Sequence, residues 1–400
     1  MPRKIINIIF ILLFFGISCV YMSFAFASAK DKNEYENRKA DKFPAISWES
    51  VMDGSFQSSV EKAFSDQIPH AEDMKKYYNF LSGAFKDSLM KKELEENPGR
   101  YFAYNNLRLF GSDHIVFWTL TMDTVSDTEN NLTVKDLLDQ KIENLKLAAK
   151  QNPKTKFYLY FIEKDTDIDF ETGEKLGAYE YLKAKLPGKF VSAKYEIDSY
   201  ETFRENFFLT DHHWNHKGSY KGYLELLELL GIEDAPLEKG EEQEIMMFSG
   251  SKVKFAGVEG KEEMMYAYDY DYPEMTYIIN GYPAPGYGSE KLYLDGGEDA
   301  PDEVTYSDFY GGDEGEIIIS SDKWYKESLL ILGESFDNAV LKLLASHYGS
   351  VHAVDLRYYS AYMGKEFSLS EYLENNNIDK VLLMGNVDYF TMSDFNIGEE

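Results

Sequence analysis

The sequence predicts an α/β fold built on a mainly parallel sheet. From about residue 107 onward, apolar runs of strand length alternate with stretches of helical periodicity, and Gly or Pro separates them. Some runs are almost continuously apolar, which is typical of strands buried on both faces. The 400-residue chain is 44% hydrophobic and 28% charged, an ordinary globular composition. Its net charge of -29 argues against nucleic acid as a partner, because the phosphates would be repelled.

The N-terminus departs from this globular pattern. Two basic residues precede an apolar run over residues 5–27, which is long enough to cross a bilayer as a helix. The basic flank predicts a cytoplasmic N-terminus, with everything after Lys30 exported. We therefore expect residues 1–29 to be a retained signal-anchor, with a signal peptide cleaved after Ala29 as the alternative. The single cysteine, Cys19, lies in this run, so the exported part contains no disulfide.

The remaining chain divides into a lead-in and a main domain. Residues 30–105 are expected to form a charged juxtamembrane linker and a helical segment, in which Phe56, Val60 and Phe64 have helical spacing. Residues 106–400 are expected to form the α/β domain. Within it, residues 232–326 are rich in Tyr, Gly and Asp with frequent turn signals, which predicts an insertion of hairpins or long loops. Its tyrosines either line a groove for sugars or only pack the hairpins.

The first elements of the α/β domain follow from periodicity and breakers. An amphipathic helix begins near Val134 and is stopped by Pro153, and a later helix carries an apolar stripe that ends at Gly231. Between them we expect, in order, a strand, a helix and a strand, with the sequences KFYLYFIEK, AYEYLKAKL and KFVSAKYEI.

A serine follows the most apolar strand of the domain. The run from Ser328 to Leu332 is succeeded by the turn Gly-Glu-Ser, and from Phe336 onward apolar residues repeat at helical spacing. Open α/β sheets build their sites where buried strands end, so Ser335 is a candidate nucleophile. Serine is also a preferred helix N-cap, and for Ser335 taken alone this structural role is the better explanation.

The stretch FLTDHHWNHKGSY contains three of the seven histidines and admits three interpretations. Asp211, His213 and His216 could hold a divalent metal ion, although no second ligand group follows elsewhere. Alternatively, Asp211 or Asn215 caps the next helix and the histidines are surface groups. In the third interpretation, His213 takes a proton from Ser335, and Asp211 orients His213 and stabilises the imidazolium.

These residues resemble a known family. The stretch TDHHWNHKGSY, followed by LGESF and DLRYY, resembles the DHHW family of bacterial exported proteins, related to the SGNH-hydrolase-like domain of alginate O-acetyltransferases. The lead-in stretches ENRKADKFP and DGSFQSSVEKAFSDQIP are similar to the N-terminal segment of that family. The resemblance implies a three-layer SGNH-like domain in which the Asp-x-His motif precedes the serine, the reverse of the usual order. Glu334 departs from the family, whose members usually have Asp there.

The resemblance also implies roles for individual residues. Ser335 would be the nucleophile, His213 the general base and Asp211 its orienting acid, with no metal and no cofactor. The oxyanion hole would use Asn386, at the end of the strand in VLLMGNVDYF, and the backbone N–H of Ser335. Substrate-binding roles are expected for three further residues: Arg357, Trp214 and Tyr358. For Arg357 a structural ion pair is an equal alternative.

The function implied is transfer of acetyl groups to a cell-surface or secreted polysaccharide through an acyl-serine intermediate. The acceptor would be the polysaccharide, and the acetyl donor would be supplied through a membrane-bound O-acyltransferase partner. Two alternatives remain: a carbohydrate acetylesterase with the same triad, and a non-catalytic glycan-binding or scaffold protein.

Overall fold

The computed structural model describes residues 16, 23, 30, 32–33, 38–52, 55–67, 70, 73–74, 77–78, 103–104, 107–110, 114–256, 261–295, 303–323, 326–392 and 395–398. Nearly all of the expected anchor, residues 1–29, lies outside this part of the chain. Within the described residues, no helix is both long and apolar enough to cross a membrane. The anchor and its cleaved alternative therefore stay predictions.

The chain divides into two compact units, residues 1–100 with 253–260, and residues 101–252 with 261–400. In the first unit, the predicted lead-in helix is present as Ser55–Gln67. The Gln67 side chain closes this unit locally, because its Nε2 donates to the Asp41 carbonyl (2.9 Å) and its Oε1 accepts from the Lys30 N–H (2.6 Å). Phe43 packs edge-on against Phe64 at 5.1 Å between ring centroids.

Seventeen strands are described, numbered in chain order. They are β1 Lys32–Asn33, β2 Arg38–Lys39, β3 Ala103–Tyr104, β4 Leu107–Phe110, β5 His114–Phe117, β6 Val125–Asp127, β7 Leu132–Thr133, β8 Lys156–Ile162, β9 Phe190–Tyr195, β10 Glu242–Phe248, β11 Glu263–Tyr268, β12 Met275–Ile279, β13 Tyr282–Ala284, β14 Glu316–Ser321, β15 Ser328–Leu332, β16 Ser350–Val354 and β17 Lys380–Gly385.

Thirteen helices are described in the same residues. They are α1 Trp48–Met52, α2 Ser55–Gln67, α3 Val134–Gln151, α4 Ala178–Lys185, α5 Tyr200–Asn206, α6 His216–Leu230, α7 Ser251–Ala256, α8 Glu290–Leu294, α9 Tyr306–Tyr310, α10 Leu341–Ala345, α11 Leu356–Met363, α12 Leu369–Asn376 and α13 Val387–Thr391.

Eight strands of the second unit form one sheet in the order β13-β12-β14-β16-β15-β17-β8-β9. The five strands from β16 to β9 are parallel, as predicted. The other three are added antiparallel, so the sheet as a whole is mixed. The chain passes from β16 across β15 to β17, which makes the carboxyl end of β15 the switch point where such sheets place ligands.

Two hydrophobic cores lie on opposite faces of this sheet. Along β8, Phe157, Leu159 and Phe161 enter one core, whereas Tyr158 and Tyr160 enter the other, as the alternation of side chains in a strand requires. Helices α3, α4 and α12 contribute to the first core, and α6 and α10 to the second. Helices therefore cover both faces, which gives the three layers that the resemblance implied.

The Tyr-rich segment, residues 232–326, is more than an appended insertion. Strands β12 and β13 form a hairpin at Asn280 and Gly281, both with positive φ as a two-residue turn of this type requires. Strand β12 then pairs with β14, and β14 pairs with β16. The predicted hairpins are thus present: β12 and β13 extend the main sheet, whereas β10 and β11 pair with each other in a separate two-stranded sheet.

Candidate active site

The histidine cluster lies in a loop between α5 and α6 whose two ends are pinned together. Phe207 and Trp214 form an isolated antiparallel bridge. Asn215 then caps α6, because its side-chain oxygen accepts from the N–H groups of Lys217 (2.9 Å) and Gly218 (3.1 Å). Asn215 therefore fills the role of cap, and Asp211 is left for another partner.

Trp214 anchors this loop in the core. Its side chain is fully buried and lies against Gly222, where an added Cβ would come within 2.5 Å of the indole ring. Close approach of the helix to the indole thus requires glycine at this position. Trp214 was expected to contact substrate, but the structure places it behind the loop, with its ring edge-on to Tyr195 and Phe336.

Ser335 lies in the turn that follows β15, and it does not cap a helix. The helix expected directly after it begins only at Leu341, with Val340 as its cap residue. The turn is tight: the Asp337 N–H donates to the Glu334 carbonyl (2.8 Å), and a Cβ on Gly333 would lie 2.3 Å from a carboxylate oxygen of Asp337. The structural alternative for Ser335, an N-cap, therefore does not apply.

The structure brings Ser335, His213 and Asp211 together in one chain of hydrogen bonds, which we call the relay. The Oγ of Ser335 lies 2.6 Å from Nε2 of His213, and Nδ1 of the same ring lies 2.6 Å from Oδ1 of Asp211. All three side chains are buried. This is the geometry that serine nucleophiles with a histidine base share across unrelated folds.

A second loop fixes the carboxylate of Asp211. The Ser251 N–H donates to Oδ2 of Asp211 (2.8 Å), and a Cβ on Gly250 would come within 2.6 Å of the Asp211 backbone. Burial raises the Asp211 pKa, but the neighbouring His213 imidazole and the hydrogen bonds it accepts hold that pKa well below its usual value. Asp211 is thus ionised, as a partner for an imidazolium must be.

Sequence reasoning missed this support. Gly250 and Ser251 lie some forty residues from Asp211 in sequence, within the Tyr-rich segment, and carry no motif. Glu263 also supports the loop of Asp211 and was not predicted to do so. Its carboxylate accepts from the N–H of Leu209 (3.0 Å) and from the N–H of Thr210 (2.6 Å). No local pattern signals such long-range contacts.

The metal interpretation is not supported by the placement of His216. Its Nε2 lies 2.7 Å from a carboxylate oxygen of Glu242, away from the relay. Asp211, His212 and His213 have ligand atoms within 4.8 Å of one another. Both nitrogens of His213 already have partners, however, and Nδ1 of His212 lies 2.5 Å from Oγ of Ser251. An ion here would have to displace the relay.

Asn386 lies at the carboxyl end of β17, the strand that pairs with β15. Both ends of its amide are engaged: Oδ1 accepts from the Asp388 N–H (2.7 Å), and Nδ2 donates to Oε1 of Glu334 (2.8 Å). Because an amide NH₂ carries two hydrogens, one N–H of Asn386 is left beyond the bond to Glu334.

Arg357 forms the centre of an ion-pair network. Its Nε lies 2.9 Å from both carboxylate oxygens of Asp355, and Nη2 lies 3.1 Å from Asp313. A third acid, Glu334, lies 3.8 Å from Nη1, and the ring of Tyr358 lies 5.2 Å from the guanidinium carbon. The structural ion pair expected as an alternative is thus present, and it adjoins the turn of Ser335 through Glu334.

Comparison with known proteins finds a family model that matches the middle of the chain. Residues 165–354, which include the loop of Asp211 and the turn of Ser335, match the family model described as DHHW protein. Over these residues the chain is similar to the DHHW family. The resemblance expected from the sequence is thereby confirmed.

Two solved structures share the fold. PatB1 of Bacillus cereus, with a sulfonyl adduct, has a TM-score of 0.56 and 17% identity, covering 75% of this chain and 99% of that chain. A DHHW family protein from Eubacterium siraeum DSM 15702 has a TM-score of 0.53 and 15% identity, covering 75% of this chain and 98% of that chain. No curated protein is significantly similar in sequence.

Proposed function

We propose that this chain is a serine O-acetyltransferase that acts outside the cytoplasm, anchored to the membrane by residues 1–29. One observation carries the proposal: the hydrogen-bonded relay from Asp211 through His213 to Ser335. The match of residues 165–354 to the DHHW family model supports it. The acceptor we propose is a cell-surface or secreted polysaccharide, and the acetyl donor reaches the site through a membrane-bound O-acyltransferase.

The first half of the reaction acylates the serine. Oγ of Ser335 attacks the acetyl carbonyl carbon of the donor, and its proton passes to Nε2 of His213. Asp211 holds Nδ1–H in place and balances the imidazolium charge. The oxyanion accepts hydrogen bonds from the Ser335 N–H and the remaining N–H of Asn386. The intermediate collapses as His213 returns the proton to the departing oxygen of the donor.

The second half transfers the acetyl group. A sugar hydroxyl attacks the acetyl-serine, His213 takes the hydroxyl proton, and collapse of the second tetrahedral intermediate releases the acetylated sugar and restores Ser335. Water in place of the sugar would give acetate, which is the esterase reaction.

The test uses the full-length chain with a chromogenic acetyl ester, with and without an oligosaccharide acceptor. We expect Ser335→Ala and His213→Ala each to lower turnover on the order of 10⁴- to 10⁶-fold, because the relay acts as one unit. Ser360→Ala, which removes an exposed hydroxyl on α11, serves as the matched control and should leave the rate unchanged.

Transfer is measured by mass spectrometry of the oligosaccharide. Acetate release that does not fall when acceptor is added, with no acetylated sugar, would assign the esterase reaction. Turnover that survives both substitutions would reject the relay as the site.

A further inference from the structure

The imidazole of His213 is covered by a tyrosine from the Tyr-rich segment. The rings of His213 and Tyr306 are parallel, with 3.8 Å between centroids and 3° between planes. Tyr306 is 2% exposed, so this face of the imidazole is closed by a ring that is itself buried. The contact joins positions 213 and 306, far apart in the sequence.

Local contacts hold Tyr306 in this position. It is the first residue of α9, whose cap is a reciprocal pair: the Thr305 side chain accepts from the Asp308 N–H (3.1 Å), and the Asp308 side chain accepts from the Thr305 N–H (3.0 Å). The ring also packs against Tyr310 at 4.9 Å between centroids. Burial raises the pKa of the Tyr306 hydroxyl well above its usual value, so the phenol is neutral.

Buried polar contacts tie this segment to the residues that follow the serine. The Tyr287 hydroxyl donates to Oδ1 of Asn338 (2.8 Å), and Nδ2 of Asn338 donates to the carbonyl of Gly311 (2.9 Å). Nζ of Lys342 donates to the Tyr287 carbonyl (3.1 Å) and pairs with the carboxylate of Glu290. The segment that carries Tyr306 is therefore fixed relative to the turn that carries Ser335.

Such a stack acts differently on the two protonation states of the base. The face of an aromatic ring is electron-rich and attracts a cation placed over it, and this attraction is strongest where water is excluded. The imidazole is neutral before Ser335 attacks and cationic afterwards. Contact with the ring is thus stronger in the transition state than in the ground state, which is the condition for a contact to raise the rate.

We propose that Tyr306 is a positioning residue for His213: its ring fixes the plane of the imidazole and stabilises the imidazolium that forms when Ser335 reacts. The inference rests on the role of base proposed above for His213. It makes the Tyr-rich segment a part of the active site.

The test measures the reactivity of Ser335 without any sugar or natural donor. The full-length chain is treated with phenylmethanesulfonyl fluoride, and sulfonylation is followed by intact mass. In this reaction Oγ of Ser335 attacks sulfur, its proton passes to His213, and the S–F bond breaks to release fluoride. The Ser335→Ala protein sets the background.

Four variants separate the ring from other effects. Tyr306→Phe keeps the ring without the hydroxyl, and Tyr306→Met replaces the ring with a flexible apolar side chain. A ring-fluorinated phenylalanine at position 306 keeps the shape of phenylalanine but lowers the electron density on the ring face. Tyr293→Met is the matched control, because Tyr293 is buried in the same segment and packs against Phe309.

We expect Tyr306→Met to lower the sulfonylation rate about two- to thirtyfold, the factor that corresponds to a cation–π contact of ordinary strength. The fluorinated ring should be slowed in the same direction, while Tyr306→Phe and Tyr293→Met stay within about twofold of wild type. The fluorinated variant decides the question if Tyr306→Met does not fold.

Several results would overturn the inference. They are a fluorinated ring that reacts as fast as Tyr306→Phe, a Tyr306→Phe protein as slow as Tyr306→Met, a Tyr293→Met protein slowed to the same extent, or no sulfonylation of wild-type Ser335. If the sulfonylation pattern holds but no acetyl group is transferred or released, the proposed reaction is rejected while the assignment of Tyr306 stands.

Discussion

At the scale of a residue, Asn386 illustrates how an amide becomes a fixed donor. Its Oδ1 accepts a backbone N–H and its Nδ2 faces a carboxylate, so the two ends of the group are not interchangeable. A free amide could turn either end toward the serine. Glu334, the residue next to Ser335, thus determines which end of Asn386 is available.

We predict that Asn386→Ala lowers turnover of the acetyl ester about a hundred- to a thousandfold, the usual effect of removing one oxyanion donor. The measurement is kcat at saturating ester. Asn386 also caps α13, and Asn386→Ser provides a control because serine retains a cap oxygen but has no amide. Asn386→Ser should retain the cap of α13 and be as slow as Asn386→Ala; a fully active Asn386→Ser protein would remove Asn386 from the oxyanion hole.

At the scale of elements, the site depends on the turn between β10 and α7. This turn brings Gly250 so close to Asp211 that any side chain would overlap backbone atoms of residues 210 and 211. The overlap cannot be relieved by a rotamer change, since backbone does not move as freely as the end of a side chain. The turn therefore sets the position of the carboxylate that faces His213.

We predict that Gly250→Ala lowers kcat about a hundredfold, because a displacement of about 1 Å in a catalytic group costs that much. Gly286→Ala is the matched control, since a Cβ there meets nothing within 4 Å and the backbone does not require glycine. The kcat values of both variants are compared with wild type. Equal kcat in both variants would show that the approach of Gly250 to Asp211 is not needed for the reaction.

Elements with strong local signals could be predicted from the sequence. Strand β8 was recognisable as an apolar run. Helix α3 begins where expected because Thr133 and Asp136 form a capping box, and it ends where expected because Pro153 cannot continue it. The helix after Ser335 starts later than predicted. Residues 336–340 have apolar side chains at helical spacing, but in the structure those side chains fill the core from a turn.

The candidate site was predictable only in part, for a related reason. Asp211 and His213 are two residues apart, and Ser335 follows an obvious strand, so each was recognisable locally. Gly250, Ser251 and Tyr306 meet them only through the tertiary fold, and their residue types are common in turns and hairpins. Sequence periodicity carries no information about such contacts.

At the scale of the whole molecule, several carboxyl groups near the carboxyl edge of the sheet have raised pKa values. Burial raises the pKa of Glu334 to about 7, although Arg357 and Lys164 oppose the rise. Burial also raises the pKa of Asp167 to about 8 and that of Asp337 well above its usual value. Between its ordinary pKa and its raised pKa, each of these carboxyl groups is protonated in the folded chain and ionised in the unfolded chain.

We predict that the free energy of unfolding of wild type, minus that of Glu334→Gln, falls as pH rises from about 4.5 to about 7. Above about pH 7 this difference should stay constant. The folded state holds the proton of Glu334 in this window and the unfolded state does not, so the free energy of unfolding decreases with pH. At roughly 1.4 kcal/mol per pH unit the difference reaches about 3 kcal/mol at most. Denaturant unfolding of both proteins across this range measures it.

Glu366→Gln, at an exposed position, is the matched control and should track wild type at every pH. A constant difference between wild type and Glu334→Gln over the whole range would contradict the raised pKa.

The short contact between His213 and Ser335 joins residues 122 positions apart. Closing so long a loop costs chain entropy before packing stabilises the contact, so we expect this contact to form after the local helices. The stack of Tyr306 on His213 adds a second closure of the same kind. A reactive Ser335 therefore reports that refolding has reached completion, and a refolding chain should regain helical circular dichroism before it regains sulfonylation.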